Sequence, residues 1–371
     1  MIASAPKRPT VVVIGGGYGG VGAAKALDED ADVVLVEPKD AFQHNVAALR
    51  ALVDPTWPDR IFLPYDHLLA NGTVVRDQAV KVDADGVMLA SGQRLSPNFL
   101  ILATGSTYPF PAKTDRLDSA DAVAHYDAVH ANLAQARRVM LLGAGAVGLE
   151  LAGEIAAAWP DKHMILVDAC DEILPGPYDH RLRDELNRQL DDLGVERVLG
   201  AELTRLPDTA ACELKTFAVD TTVGTRIGAD IWFRCHGVAP VTNYLAGDLA
   251  AARTRDGYVE VTPHLQVVGF DHIYALGDIA AIDANKAGVA ARQADIVAAN
   301  IKAQIAGNGA TATYAPRPPA IILPLGPTGG AGQLPDRDDI VTAEFVAEVK
   351  GRHMMIDGYA QFFNVAAQVP R

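Results

Sequence analysis

The chain begins with short apolar runs separated by turn residues. Residues 11–14 are β-branched without a polar interruption, which is typical of a buried parallel strand. A glycine-rich turn follows at residues 15–20, and residues 21–27 predict a helix. Residues 33–36 predict a second buried strand, which ends at Glu37. Together these elements predict one β-α-β unit.

The same succession returns in the middle of the chain. Residues 139–142 predict a strand, 143–148 a glycine turn and 149–159 a helix. Another strand is predicted at residues 164–167 and ends at Asp168. The sequence therefore repeats one nucleotide-binding unit, at a spacing that leaves the first domain room for extra elements.

Shorter elements surround the two units, and a tail with a different residue pattern follows them. They are strand patterns at residues 73–90, 213–233 and 262–278, an alanine-rich helix at 287–306, a Pro/Gly-rich hairpin at 321–334 and an amphipathic stretch at 342–350. We interpret the tail from residue 316 as a small third domain.

The first glycine turn has a GxGxxG spacing, formed by Gly15, Gly17 and Gly20. The first glycine permits the tight turn, the second lets a pyrophosphate approach the backbone, and the third lets helix and strand pack closely. Glu37 is the acid that accepts a ribose hydroxyl. The alternative is a glycine turn that binds no ligand.

The second turn, with Gly143, Gly145 and Gly148, has the same mechanics. Asp168 stands at the end of the following strand. An acid there favours a free 2′-hydroxyl and repels a 2′-phosphate, so NADH is expected to be preferred over NADPH. The alternative is that Asp168 only caps a turn before Asp171.

Two nucleotide sites in one chain imply a held flavin and an exchangeable hydride donor. Three further strand ends support this interpretation: Thr104–Gly105 in LILATGS, Gly237 after Cys235–His236, and Asp278 after Gly277. Asp278 has an oxygen for a ribityl or ribose hydroxyl. Each of these, taken alone, also fits a buried strand followed by a turn.

These observations predict an α/β protein with two Rossmann-like nucleotide-binding domains and a small α+β C-terminal domain. The predicted boundaries are 1–112 with 246–315 for an FAD domain, 113–245 for an NAD(P)H domain that interrupts it, and 316–371 for the tail, which we expect to cover the flavin.

Composition narrows the function classes. The formal net charge of −14 over 371 residues disfavours nucleic acid and anionic membrane surfaces as partners. Three scattered cysteines do not suggest a disulfide framework or a metal cluster. No apolar run approaches the ~20 residues of a membrane span. We therefore expect a cytoplasmic protein with at most peripheral membrane contact and no metal; its oligomeric state is not predicted.

Several stretches resemble a known group of flavoenzymes. The order of motifs resembles the pyridine-nucleotide-dependent flavin oxidoreductases, and DAFQHNVAALRALV at residues 40–53 resembles the apoptosis-inducing-factor-like quinone reductases of the ferroptosis-suppressor type. ATGSTYPFPAK at 103–113 and VKGRHMMID at 349–357 resemble that group too. The resemblance covers essentially the whole chain. It implies an FAD enzyme that oxidises NADH, or NADPH, and reduces quinones.

The resemblance also implies site residues, position by position. Those that would hold FAD are Gly15, Gly17, Gly20, Glu37, Arg50, Val80, Asp278 and Lys286. Those that would line the nicotinamide nucleotide site are Gly143, Gly145, Gly148, Glu150, Asp168 and Gly237.

Three residues are candidates for assisting the chemistry. His44 either donates a proton to the reduced acceptor, or hydrogen-bonds the flavin, or is a packing histidine. Glu150 either faces the nicotinamide, as the resemblance implies, or is only an acid in the first turn of a helix. Lys350 either polarises a substrate carbonyl, or pairs with Glu150, or is a solvated lysine beside Gly351.

The disulfide-reductase branch of these flavoenzymes carries a redox CxxxxC pair in the helix after the first acid. Residues 42–50 contain no cysteine here. Without those sulfurs there is no dithiol relay, and electrons must leave the flavin directly. We expect an NADH:quinone oxidoreductase; the alternatives are a reductase for a protein acceptor such as a ferredoxin, and a slow-turnover FAD/NADH redox sensor.

Overall fold

The computed structural model describes residues 8–283 and 288–365. Its strands in chain order are β1 (Thr10–Ile14), β2 (Asp32–Val36), β3 (Ala41–Gln43), β4 (Phe62–Pro64), β5 (Thr73–Val75), β6 (Ala79–Asp83), β7 (Gly86–Leu89), β8 (Arg94–Leu95), β9 (Phe99–Leu102), β10 (Ser106–Thr107), β11 (Arg138–Leu142), β12 (His163–Val167), β13 (Glu196–Val198), β14 (Phe217–Asp220), β15 (Arg226–Ala229), β16 (Ile231–Arg234), β17 (Ala239–Pro240), β18 (Ile273–Ala275), β19 (Ile321–Leu325) and β20 (Gly329–Gln333).

The α-helices of the described residues connect and cover these strands. They are α1 (Tyr18–Leu27), α2 (Ala48–Val53), α3 (Ser119–Gln135), α4 (Ala146–Ala158), α5 (His180–Asp192), α6 (Gly247–Ala250), α7 (Val289–Ile305), α8 (Ala343–Val346) and α9 (Ile356–Phe362). A π-helical turn, Ala347–Gly351, continues α8. No helix in the described ranges is both long and apolar enough to cross a bilayer.

The first sheet is parallel and has the order β18-β9-β1-β2-β5. Its central strand β1 is buried because it is apolar on both faces, with Val12 opposite Val34 on one side and Leu100 on the other. Helices α1 and α7 cover one face. Strand β18 joins the sheet after the chain has completed the second sheet, so the first domain is interrupted, as the sequence predicted.

The second sheet repeats this arrangement with the parallel order β13-β12-β11-β16. Both predicted β-α-β units are present, and each helix begins earlier than the apolar pattern indicated. Helix α1 starts at Tyr18 and α4 at Ala146, because the last residues of each turn, including Gly20 and Gly148, already have helical backbone. The α/β fold with two Rossmann-like sheets is confirmed.

Some predicted strand patterns divide between different sheets. In residues 73–90, β5 joins the first sheet, whereas β6 and β7 form an antiparallel sheet with β8. In residues 213–233, β16 joins the second sheet and β14 pairs only with β15. Residues 262–278 contain only one strand, β18, since the chain turns at Leu265, where φ is +64°, and forms isolated bridges on either side. Period-two patterns predict strands but not their partners.

The tail contains the predicted hairpin, β19 and β20, followed by α8 and the π-helical turn. The hairpin packs directly on α4: a Cβ added at Gly153 would lie 2.4 Å from Leu325 Cα and 2.6 Å from Gly326 N. Helix α9 then reaches the first sheet, where Ala360 and Phe363 join its core. The tail thus contacts both sheets. The domain boundaries given above stay a prediction.

Candidate functional site

The first glycine turn has the geometry that the GxGxxG spacing predicts. Gly15 has φ +101°, and a Cβ there would lie 2.5 Å from Ala103 O on the neighbouring strand. A Cβ at Gly20 would lie 1.8 Å from Gly15 O, so helix and turn pack at a distance that only glycine allows. Gly17, in contrast, would meet no atom within 4 Å. The backbone of this turn is therefore open at the position where a pyrophosphate approaches.

Glu37 lies across this turn at the end of β2. Its carboxylate accepts hydrogen bonds from the backbone N–H of Gly16 at 2.6 Å and of Lys39 at 3.0 Å. Tyr65 donates its hydroxyl proton to Gly16 O at 2.8 Å. Because burial and the nearby Glu37 carboxylate raise the pKa of Tyr65, the hydroxyl keeps its proton. The acid is thus held at the rim of the turn with its oxygens aligned by backbone donors.

The second turn reproduces the first. Gly143 has φ +121° and would meet Cys235 O at 2.9 Å if it carried a Cβ, and Gly148 would meet Gly143 O at 1.9 Å. A Cβ added at Gly145 would meet nothing within 4 Å. The N-cap residues Gly17 and Gly145 have φ of −76° each and ψ of −175° and −174°, and neither has a side-chain cap. Two helix N-termini with uncapped N–H groups therefore face open space.

Asp168 closes the second turn as Glu37 closes the first. Its Oδ2 accepts from the N–H of Ala144 at 2.5 Å and its Oδ1 from the N–H of Cys170 at 2.8 Å. The bond from Ala144 fits an acid that binds ribose at the end of the strand. The bond from Cys170 is the turn cap that the alternative interpretation of Asp168 predicts. One carboxylate makes both contacts, so the two interpretations do not exclude each other.

The predicted strand ends lie between the two turns. Thr104 donates its hydroxyl proton to Val241 O at 2.6 Å, and Gly105 has φ +64°. Asp278 accepts from Ser106 Oγ at 2.5 Å, and Lys113 forms an ion pair with it at 3.4 Å. The chain crosses between the sheets here, since β10 pairs with β17.

Gly237, with φ +107°, turns the chain after β16. The neighbouring Cys235 carbonyl lies under Gly143 and also accepts the hydroxyl proton of Tyr108 at 2.6 Å. Gly237 is thereby placed beside the second glycine turn.

Glu150 and Lys350 meet although 200 residues separate them. Lys350 Nζ donates to Glu150 Oε1 at 2.8 Å, and both side chains are 16% exposed. Glu150 stands in α4 two residues after Gly148, and Lys350 stands in the π-helical turn of the tail. The predicted contact of these two residues is confirmed; their role in the reaction stays a prediction.

Arg50 lies in a second, fully buried ion pair beside the first. Its Nε and one terminal nitrogen donate to the two carboxylate oxygens of Glu154, the latter bond measuring 2.8 Å, and the same nitrogen donates to Gly351 O at 2.8 Å. The sequence predicted that Arg50 would hold FAD. These bonds instead connect α2, α4 and the tail, and contact with FAD stays a prediction.

His44 is completely buried in an aromatic cluster of Tyr18, Phe42 and Tyr359. Its Nε2 donates to Met354 O at 2.6 Å and its Nδ1 accepts from Tyr18 Oη at 3.1 Å. Burial lowers the pKa of His44 to about 4, and the charge of Lys350 contributes in the same direction. With both ring nitrogens bonded within the protein and no charge at neutral pH, these contacts favour the packing role over proton donation.

Val80 and Lys286 are the remaining residues that the resemblance places at FAD. Val80 is on β6 with 48% of its side chain exposed. Lys286 lies outside the described residues.

Sequence reasoning did not identify Lys113 or Glu154 as part of the site. Neither stands in a glycine motif, and no local pattern marks a partner that is more than a hundred residues away. Glu154 carried one usable signal: it lies four residues after Glu150, on the same face of α4.

Comparisons with known proteins agree with this geometry. The family model of the pyridine nucleotide-disulphide oxidoreductases matches residues 9–296. A ferroptosis suppressor protein 1 from Taeniopygia guttata is 32% identical over 337 residues, which cover 87% of this chain and 88% of that protein. Apoptosis-inducing factor homolog A from Dictyostelium discoideum is 27% identical over 381 residues, 96% of this chain and 92% of that protein.

Among solved structures, the chain resembles a covalent complex of putidaredoxin reductase with putidaredoxin. The TM-score is 0.67 with 21% identity, over 85% of this chain and 79% of that chain. At this identity the likeness shows the fold of two nucleotide-binding domains.

Proposed function

The chain belongs to the pyridine nucleotide-disulphide oxidoreductase family, and from this premise we propose that it is an FAD-dependent NAD(P)H:quinone oxidoreductase. As a member of that family it binds FAD and a pyridine nucleotide and is an oxidoreductase. The quinone is the proposed part. It is supported by the resemblance to ferroptosis suppressor protein 1, which extends over 88% of that relative.

The residues present fit two dinucleotides. Each glycine turn is open at its second glycine, is followed by an uncapped helix N-terminus, and is closed by a carboxylate, Glu37 or Asp168. Backbone donors and the helix dipole suit a pyrophosphate, and the carboxylate suits ribose hydroxyls. We propose that the first turn holds FAD and the second NADH. A bound FAD would supply the redox chemistry, as the acceptor of hydride from the nicotinamide and the donor of electrons to the final acceptor.

The absence of cysteine from residues 42–50 supports direct electron transfer from the flavin, and the resemblance to ferroptosis suppressor protein 1 favours a quinone over a protein acceptor. The segment instead contains, among others, the buried side chains of Phe42, His44 and Arg50. A disulfide relay is impossible there, so electrons must pass directly to the acceptor. A quinone is a small molecule that accepts electrons without such a relay.

Glu150 and Lys350 are the proposed catalytic residues. Glu150 follows the second glycine turn directly and would orient the nicotinamide. Lys350, brought in by the tail, holds the Glu150 carboxylate in one position and would polarise a carbonyl of the acceptor. The two residues are mostly buried, which strengthens their interaction and helps to exclude water from the site of hydride transfer.

Stopped-flow measurement of the two half-reactions tests this proposal. The purified protein should be yellow, NADH should bleach the flavin without oxygen, and menadione or a short-chain ubiquinone should restore its colour. Glu150→Gln should slow flavin reduction by NADH. Lys350→Gln should chiefly slow electron delivery to the quinone.

Glu344→Gln is the matched control, because Glu344 is an exposed carboxylate of the same tail. A flavin that NADH reduces but only a ferredoxin reoxidises would contradict the quinone proposal. A reduced flavin–NAD band that persists in air with quinone present would contradict it as well, in favour of a redox sensor.

A further inference from the structure

Arg50 occupies a position where three parts of the chain meet. Arg50 lies on α2. It donates hydrogen bonds to the Glu154 carboxylate on α4 and, at 2.8 Å, to Gly351 O in the tail. Its guanidinium also lies 5.6 Å from the ring of Trp57. Arg50 and Glu154 are 7% and 2% exposed, so this ion pair is separated from solvent.

The two ion pairs share the same two backbone segments. Glu150 and Glu154 are one turn apart on α4, and Lys350 is the residue before Gly351. Two carboxylates therefore face two cations, with Arg50 on Glu154 and Lys350 on Glu150. Burial raises the pKa of Glu154, opposed by its hydrogen bond to Arg50; the charges of Glu150 and Asp54 raise it further. The four charges balance only while both cations are present.

We propose that Arg50 is a positioning residue: by neutralising Glu154, it keeps Lys350 paired with Glu150. This inference rests on the proposed hydride transfer at Glu150. It assigns to Arg50 no contact with the flavin.

The consequence of removing Arg50 follows from charge balance. Glu150 and Glu154 would then share the single cation Lys350. Two buried carboxylates with one counter-ion do not both stay ionised, so one takes up a proton. Lys350 would also be drawn towards Glu154, and the carboxylate beside the nicotinamide would lose its fixed position. A misplacement of this kind slows a reaction that depends on alignment.

Three variants of the full-length, FAD-loaded protein test the inference. Arg50→Met removes the charge but keeps an apolar chain. Arg50→Met/Glu154→Leu removes both charges, because an ion pair that is replaced by apolar residues leaves no unpaired charge behind. Arg50→Lys keeps the charge but not the planar donors that reach two acceptors. Arg138→Met is the control, since it removes an arginine–carboxylate pair with Asp230 elsewhere in the second sheet.

Two measurements are made on each variant. Stopped-flow gives the rate of flavin reduction by NADH, which we expect to fall roughly tenfold or more in Arg50→Met and to recover largely in the double variant. Infrared spectroscopy detects the carbonyl stretch of a protonated carboxyl group. We expect that band at neutral pH in Arg50→Met and its absence from the wild type, from the double variant and from Arg50→Lys.

The inference is overturned if Arg50→Met reduces flavin at the wild-type rate, or if the double variant is as slow as the single one. It is also overturned if no carboxyl group becomes protonated in Arg50→Met. A wild-type protein that NADH does not reduce would overturn the proposed function instead, while the infrared result would still test the charge balance. If Arg50→Met fails to fold, the double variant and Arg50→Lys decide between these outcomes.

Discussion

At the scale of single residues, burial decides the charge of His44. The side chain is enclosed by aromatic rings, bonds to Met354 O and Tyr18, and has a pKa of about 4. Its ordinary value is 6.5. Between pH 6.5 and pH 4, the His44 imidazole takes up a proton in the unfolded chain but stays neutral in the folded chain. His44 therefore makes a contribution to stability that is complete above pH 6.5 and is lost as the pH falls towards 4.

His44→Gln should flatten the pH dependence of stability in that range. The effect on the free energy of unfolding amounts to roughly 3 kcal/mol at most, because each unit of pKa shift corresponds to about 1.4 kcal/mol. Urea unfolding at pH 7, 6, 5 and 4.5 measures it. His67→Gln, at an exposed histidine, is the control and should keep the wild-type slope. An unchanged slope in His44→Gln would mean that His44 has the same pKa in the folded chain as in the unfolded chain.

Asp168 determines which nicotinamide nucleotide we expect the chain to prefer. NADH should have a higher kcat/KM than NADPH, because the carboxylate repels a 2′-phosphate. Asp168→Asn should bring the kcat/KM values for NADH and NADPH closer together. The substitution should weaken the binding of NADH and remove the repulsion of NADPH, so the change should lie mainly in KM. Asp161→Asn, an exposed acid in the same sheet's connection, is the control. Equal kcat/KM for both nucleotides in the wild type would contradict the assignment.

At the scale of elements, α4 depends on its closeness to the tail hairpin. A Cβ at Gly153 would lie within 2.6 Å of three backbone atoms of Leu325 and Gly326, and backbone does not move aside as a flexible side chain does. The helix therefore approaches the hairpin at a distance that only glycine allows. This contact sets the distance between Glu150 on α4 and Lys350 beyond the hairpin.

Gly153→Ala should lower the stability by about 1–3 kcal/mol through overpacking, although alanine is the better helix former. It should also slow flavin reduction, since the tail would shift away from α4. Gly358→Ala in α9 is the matched control: it is also a helical glycine, and nothing lies within 4 Å of the added Cβ. That variant should be as stable as the wild type or slightly more so. Thermal unfolding of both variants measures the difference. An equal loss of stability in the two variants would contradict the packing argument.

At the scale of the whole molecule, the proposed electron transfer between two bound nucleotides needs no thiol. Cys170 is exposed, whereas Cys212 and Cys235 are buried. Burial raises the pKa of the Cys212 thiol to about 12 and that of Cys235 well above its usual value. The buried thiols therefore stay protonated, and thiolate is the reactive form.

The variant Cys170→Ser/Cys212→Ala/Cys235→Ala should retain quinone reduction at close to the wild-type rate. Alanine is chosen at the two buried positions because serine would bury a hydroxyl. Turnover of NADH with menadione, normalised to bound flavin, measures it, and Cys170→Ser alone is the comparison. A variant that keeps its flavin but loses turnover would contradict direct transfer from flavin to acceptor.

The sequence by itself determined the parts whose physics is local. Strand, glycine turn, helix and terminal acid follow one another within a few tens of residues, so both β-α-β units and the acids Glu37 and Asp168 were predicted at their positions. The spacing of three glycines dictates a tight turn, an open backbone and a close helix in both copies. The missing cysteines were equally visible, because an absent residue type needs no folding to be recognised.

Only the tertiary structure decided which distant side chains meet. The resemblance suggested that Glu150 and Lys350 pair, but the π-helical turn and the contact at Gly153 are what bring them to 2.8 Å. Nothing in the sequence marked the pairing of Arg50 with Glu154, and the sequence left a packing role for His44 as one of three alternatives. The physical reason is that the charge and position of a buried polar group depend on every element packed around it, and those elements come from separate parts of the chain.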